Sequence, residues 1–150
     1  QRGEYKEWDS SGSIVKWYIS ERELYKSFYG NGQVKSCIQC KDYVHHGTSQ
    51  EWYSSGIKKS EGSIDNGKRD GEYKEWYETK EPRLFKEMSF QNGKENGEHK
   101  EFHANGQIRC SFQVENGLRT TELIEYDDAG KPRSKPMLDT RVRQRVTMLM

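Results

Sequence analysis

The chain has 150 residues, room for one ordinary domain, with 31% hydrophobic and 33% charged residues, a balance that leans towards disorder. Against this stand 4 Trp, 9 Tyr and 5 Phe, rings that disordered segments lack, so the chain is expected to fold around a thin core dominated by aromatics. A net charge of +1 supplies no overall field towards nucleic acid or an anionic membrane.

The phrase GEYKEW stands at Gly3–Trp8 and again at Gly71–Trp76, and it heads a column: ELYKSF from 23, GTSQEW from 47, GEHKEF from 97 and TELIEY from 121. Successive starts are 20, 24, 24, 26 and 24 residues apart, which defines an array of six units. Each first strand ends on an aromatic residue, giving a spine of Trp8, Phe28, Trp52, Trp76, Phe102 and Tyr126. Four residues after the aromatic a turn closes on Gly12, Gly32, Gly56, Gly106 or Gly130, and only the fourth unit replaces it with a longer ETKEPR.

A second run follows with period-two alternation: Val34, Ser36, Ile38, Cys40; then Leu84, Lys86, Met88, Phe90; then Ile108, Cys110, Phe112, Val114. Asn66-Gly67, Asn92-Gly93 and Asn116-Gly117 then close their units, Asn and Gly being the residues that accept the positive φ of tight turns. Every glycine is thereby assigned to a hairpin turn. The predicted fold is all-β: an elongated single antiparallel sheet of six consecutive hairpins of about 24 residues each, with strand pairs advancing roughly 10 Å per unit. Tyr5, Tyr25 and Tyr73 fall on one face of this sheet and the Trp/Phe spine on the other.

Residues 3–132 resemble the variant MORN repeat, whose units read Gly, four residues, an aromatic, three residues, Gly, and then a second strand ending in Asn-Gly-x-x-x-Gly. NGKRDGEYKEWY and NGKENGEHKEFHANG carry the resemblance best; units one and two lack the closing Asn-Gly, and units two and six the opening Gly. The resemblance implies a non-catalytic scaffold for protein–protein contacts, since such repeats occur in bacterial antitoxin-like proteins, in membrane-associated scaffolds and in many copies in giant viruses. A minor capsid or cement-type structural protein of a virion is the specific role it implies; an antitoxin-like module that neutralises a cognate protein is the alternative, and a peripheral lipid binder a third.

Four zinc-compatible side chains, Cys37, Cys40, His45 and His46, crowd into CIQCKDYVHH. A metal site is disfavoured there, because Cys40 occupies the column of Ile64, Phe90 and Val114, and residues three apart on a strand point to opposite faces. Glu7, Glu51, Glu75, Glu101 and Glu125 form a second column, but members about 10 Å apart cannot flank one bond. They read as a solvated row paired across strands with Lys6, Lys26, Lys74 and Lys100. No phosphate loop or nucleophile–histidine spacing is present, so neither catalysis nor a cofactor is expected.

Residues 1–130 thus form the array and 131–150 a basic tail, with six Lys or Arg against one Asp, while 19 basic and 23 acidic residues precede it. The mildly acidic body disfavours nucleic acid, and membrane binding would be weak and rest on the tail. Arg141, Arg143 and Arg145 alternate with Val142, Gln144 and Val146, a pattern suited to a strand that covers the open edge of the array or to an arm that docks on another subunit, a second copy included. Three cysteines point to a reducing intracellular compartment; a virion is the location that the resemblance implies. No apolar run of 18 residues is present. A start at Gln1 fits a fragment, a processed form or the ordered part of a longer protein.

Overall fold

The computed structural model describes residues 3–19 and 23–133; Arg141, Arg143, Arg145 and the rest of the tail from 134 lie outside the described residues. Alternating sequences flanked by turns give strands throughout, in the order β1 (Glu4–Trp8), β2 (Ile14–Ile19), β3 (Leu24–Phe28), β4 (Val34–Lys41), β5 (Val44–Trp52), β6 (Lys58–Asp65), β7 (Lys68–Trp76), β8 (Leu84–Gln91), β9 (Lys94–Glu95), β10 (Gly97–Phe102), β11 (Ile108–Glu115), β12 (Leu118–Arg119) and β13 (Ile124–Glu125). All pair antiparallel in one sheet whose spatial order follows the chain, β1 at one end and the short β12 and β13 beside β11 at the other. Chain order equals spatial order because each hairpin docks on the one before it.

Three kinds of irregularity recur at fixed places. Asn66-Gly67, Asn92-Gly93 and Asn116-Gly117 have φ of 48 and 81, 51 and 85, and 50 and 79 degrees, so both central residues are left-handed, the conformation that matches strand twist in a two-residue loop. Unit two forms the same turn without Asn-Gly: Asp42 and Tyr43, at φ 50 and 65 degrees, link the paired Lys41 and Val44. The second irregularity is a β-bulge just before each of the first five spine aromatics, at Glu7/Trp8, Ser27/Phe28, Glu51/Trp52, Glu75/Trp76 and Glu101/Phe102. One extra residue in the second strand re-phases the alternation there. Val34, Leu84 and Ile108 therefore pair with spine aromatics and do not share a face with Ile38, Met88 and Phe112, a correction to the simple period-two column.

The third corrects the assignment of every glycine to a hairpin turn. The unit-opening Gly47, Gly71 and Gly97, at φ 107, 100 and 114 degrees, sit inside or at the start of strands, where one chain bulges against Gln39, Ser63 or Ser89. A side chain at Gly97 would meet only ordinary contact, 3.7 Å from the Ser89 Cβ, so the backbone angle explains the residue.

Strand register sorts the side chains onto two faces. One row runs Tyr5, Tyr18, Tyr25, Ile38, Ser49, Gly62, Tyr73, Met88, each opposite the next. This tyrosine face holds the six buried side chains among the described residues, Cys40, Ser60, Tyr73, His99, Cys110 and Val114. The spine aromatics lie on the opposite face, Trp8 exposed (56%) and the other five half-buried. The aromatic core expected from composition is thus mostly not aromatic: a one-layer sheet has no second layer to cover large rings. Burial comes from neighbours on the same face. The Arg69 guanidinium lies 4.1 Å from the Tyr73 ring centre, Phe90 meets that ring edge-on, and Arg119 lies over Phe112.

Both margins of the sheet are stitched at the repeat spacing. On the turn side, the hydroxyls of Tyr29, Tyr53 and Tyr77 donate to the carbonyls of Trp52, Trp76 and Phe102 at 2.7, 2.8 and 2.7 Å, and His103 Nε2 meets the Tyr126 carbonyl at 2.8 Å. On the other side, the N–H groups of Gly67, Gly93 and Gly117 donate to the carbonyls of His45, Arg69 and Glu95. Pairing continues past Gly130, because Tyr126 bridges Pro132 and the Arg133 N–H donates to the Glu125 carbonyl.

Candidate functional site: the two faces of the sheet

On the spine face, opposed residues give Lys26, Cys37, Gln50, Glu61 and Lys74 in a row, continued by Glu87 and Lys100. Because strands bulge at each spine aromatic, that ring rises beside the row and walls a shallow groove. One groove of about 420 Å³ is lined by Lys26, Gln33, Val34, Cys37, Gln50 and Trp52. The next, of about 320 Å³, is lined by Thr48, Glu61, Ser63, Glu72, Lys74 and Trp76. A third of about 190 Å³, without a spine aromatic in its lining, lies along the same row between Glu72, Lys74, Glu87, Glu98 and Lys100. Charges of both signs alternate: Glu61 binds the Lys58 ammonium and Gln50, which hold its carboxyl below the usual range, and Glu98 at 2.9 Å raises Lys100.

The tyrosine face carries the glutamate column. Adjacent residues of a strand point to opposite faces, so this column cannot pair with Lys6, Lys26, Lys74 and Lys100, and the expected cross-pairing is corrected. Those lysines lie across the sheet, where Lys6, Lys74 and Lys100 reach Glu4, Glu72 and Glu98 on their own strands. The column has separate partners. Glu7 meets Lys16 at 2.9 Å, Glu51 accepts from Ser60, Glu75 accepts from the Tyr73 hydroxyl and lies 3.7 Å from Lys86, and Glu101 sits between Arg109 and His99. Ser60, Lys86 and Cys110 intervene between successive carboxylates, and Glu75 and Glu101 have side chains only 24% and 20% exposed, so the row is not freely solvated.

His99 is the most enclosed ionisable ring. It stacks on Phe112 at 4.4 Å, with Nδ1 2.5 Å from Glu95 and Nε2 3.4 Å from Glu101. Beside it, burial and then the Glu101 charge push the Cys110 thiol up to about 11, which keeps it protonated and poorly nucleophilic. Burial also raises Cys37 and Cys40.

The four residues of CIQCKDYVHH part company. Cys37 floors the first spine-face groove, Cys40 stands opposite His45 on the tyrosine face, and His46 Nδ1 lies 3.0 Å from Asp65. Among the described residues no three His, Cys, Asp or Glu side chains converge as metal ligands. The turn glycines Gly12, Gly32, Gly56, Gly67, Gly93, Gly106, Gly117 and Gly130 all have φ between 79 and 88 degrees. Sequence reasoning missed the column Tyr29, Tyr53, Tyr77, His103, although its signal, a ring directly after the spine aromatic, is visible in FY, WY, WY and FH.

Residues 95–116, covering most of unit five from the last residue of β9 to the closing Asn116, match the family profile of the MORN repeat variant. The comparison with curated proteins finds no match. Repeats of this family are generally non-enzymatic, and the matched unit is one hairpin of a single sheet in which the other units also pair antiparallel in chain order. Residues 95–116 are thus similar to a MORN repeat variant and lie within an open antiparallel sheet of hairpin repeats, a similarity that suggests a repeat scaffold or binding role.

Proposed function

We propose that the chain is a non-catalytic scaffold that holds other protein subunits in a large assembly, in the manner of a minor capsid or cement protein. The observation that carries this reading is the double stitching of the margins. Hydrogen bonds repeating every 23 to 25 residues tie units two to six in series and make that part of the array a ruler with a succession of grooves, the second and third of mixed charge. Such a surface suits protein partners, whose rims are polar and of both signs, better than a polyanion, which needs one sign throughout. The tail of Arg141, Arg143 and Arg145 supplies a second contact, to an acidic partner.

Copy number tests the reading. The chain is quantified by mass spectrometry in purified large assemblies from its source, beside size fractions of the lysate. Stoichiometric presence in a particle is the expected result. Recovery instead in a discrete complex with one small enzyme overturns it in favour of an antitoxin-like module. Salt-sensitive recovery on anionic vesicles overturns it in favour of lipid binding.

A further inference from the structure

We propose that the spine face between β5 and β11 packs against the same face of a second copy of this chain, about a twofold axis that runs along the strands between β7 and β8. The inference names one partner within the scaffold reading and rests on it. Across β6, β7, β8 and β10 the charges run Glu61, Lys74, Glu87, Lys100, each opposite the next. Their side chains keep access to solvent, Glu61 and Lys74 being 41% and 42% exposed.

Within one sheet this alternation sets neighbours of opposite sign side by side. It also makes the face complementary to itself, because a twofold along the strands reverses the row, and the reversed row puts acid where the original has base. With the axis between β7 and β8, Lys74 meets Glu87 of the partner subunit and Glu61 meets Lys100 of the partner subunit. All four charges are then answered in both copies. An axis lying on β7 or on β8 sets Lys74 or Glu87 against its own counterpart. An axis one gap to either side leaves two of the four facing uncharged residues, Cys37 and Gln50 on one side, Ser111 and Ile124 on the other.

The rows that flank the charges accept the same axis. In the spine row a ring stands on every second strand, with Trp52 opposite Lys58, Trp76 opposite Leu84 and Phe102 opposite Ile108. The axis puts Trp76 over Leu84 of the partner subunit, Trp52 over Ile108 of the partner subunit and Phe102 over Lys58 of the partner subunit. Rings from the two copies interleave, with apolar on apolar twice and an ammonium on a ring face once. In the other row Glu72 is opposite Ser89 in its own sheet. There the axis brings Glu72 to Ser89 of the partner subunit and Glu98 to Ser63 of the partner subunit, hydroxyls that donate to carboxylates. Both sheets twist in the same sense, so strands packed face to face stay within about 30° of one another. The contact uses one patch twice and closes at two copies, each supplying the second layer that the other's half-buried rings lack.

Light scattering on the full 150-residue chain across a concentration series tests this, with Lys74→Glu and Glu87→Lys measured separately and mixed. The wild-type chain is expected to dimerise. Each variant alone sets like charges face to face beside the axis and should weaken the dimer by about tenfold. In an equimolar mixture one copy is acidic at both positions and the other basic, so association should recover, which also shows that the variants fold. Lys94→Glu, at the exposed turn after β8, makes the same change in net charge as Lys74→Glu and should leave the dimer as it is. A chain that stays monomeric at every concentration overturns the proposal, as does a dimer that neither face variant weakens, one weakened equally by Lys94→Glu, or a mixture that does not recover. Any of these leaves the scaffold reading, which stands on abundance in an assembly, to its own test.

Discussion

Gly3–Trp8 and Gly71–Trp76 are the same six residues in two surroundings. In the second, Tyr73 packs against Phe90, lies under Arg69, donates its hydroxyl to Glu75 and is nearly closed off from solvent. In the first, Tyr5 and Trp8 are 58% and 56% exposed. Nothing in the hexapeptide distinguishes them; the difference lies in what stands on either side. Burial in this protein is a property of a unit's position between two others, which is why a chain with few hydrophobic residues can fold at all.

The sharpest way to break the comparison is to truncate the ring in both places. Tyr73→Ala should cost about 3 to 5 kcal/mol, because a closely packed ring leaves a cavity, whereas Tyr5→Ala should stay within about 0.5 kcal/mol. Urea unfolding of the two variants beside the parent measures both. Equal losses would mean that the tyrosine face is not covered by neighbouring strands. Gly62→Ala attacks the same site from across the sheet. A Cβ there would lie 2.7 Å from Tyr73 Cδ2, and the ring is held by Phe90 and Arg69, so a loss of about 1 to 3 kcal/mol is expected.

How much of this was legible in the sequence divides along the same line. Local chemistry was readable: the Asn-Gly turns, the six-unit period and the opposed Tyr and Trp/Phe faces all follow from residue type and spacing. Coupling between distant residues was not. The bulge before each spine aromatic moves Val34, Leu84 and Ile108 to the other face, and no residue type at Val15, Lys35, Lys59, Phe85 or Arg109 announces the extra position. The Glu and Lys columns, neighbours in the sequence, looked like partners and are separated by the thickness of the sheet. His99 reads as a strand residue, yet Glu95, Glu101 and Phe112 converge on it from three strands.

The stitching on the turn side offers a smaller test. Tyr77→Phe removes one hydroxyl from the Phe102 carbonyl and should cost about 1 kcal/mol in the same unfolding measurement. Unit one lacks this link, since Asp9 occupies the column and accepts from the Ser11 hydroxyl and from the Ser13 and Ser11 N–H groups of its own turn, contacts that hold its carboxyl below the usual range. Hydrogen exchange should therefore show β1 opening before β7, and Tyr77→Phe should bring the exchange of β10 closer to that of β1. Unchanged exchange in β10 would assign the coupling of units to strand pairing alone.

The smallest expected effect concerns the turn that unit two makes without Asn-Gly. Tyr43 occupies the place of Gly67, Gly93 and Gly117 at φ 65 degrees, a conformation that costs a side-chain-bearing residue about 1 kcal/mol. Its ring is 73% exposed and returns part of that cost by meeting Tyr18 at 5.2 Å. Tyr43→Gly removes the strain and the contact together, and a net gain of about 0.5 kcal/mol is expected, since an exposed ring pair is worth less than a left-handed backbone penalty. Pairing it with Tyr18→Ala separates the two contributions: in that background the gain should rise, because there is no ring contact left to lose. A loss of stability in both backgrounds would show that Tyr43 is held at positive φ by contacts stronger than the one to Tyr18. The first two units would then differ from the central ones in how their turns are fixed as well as in how far their faces are covered.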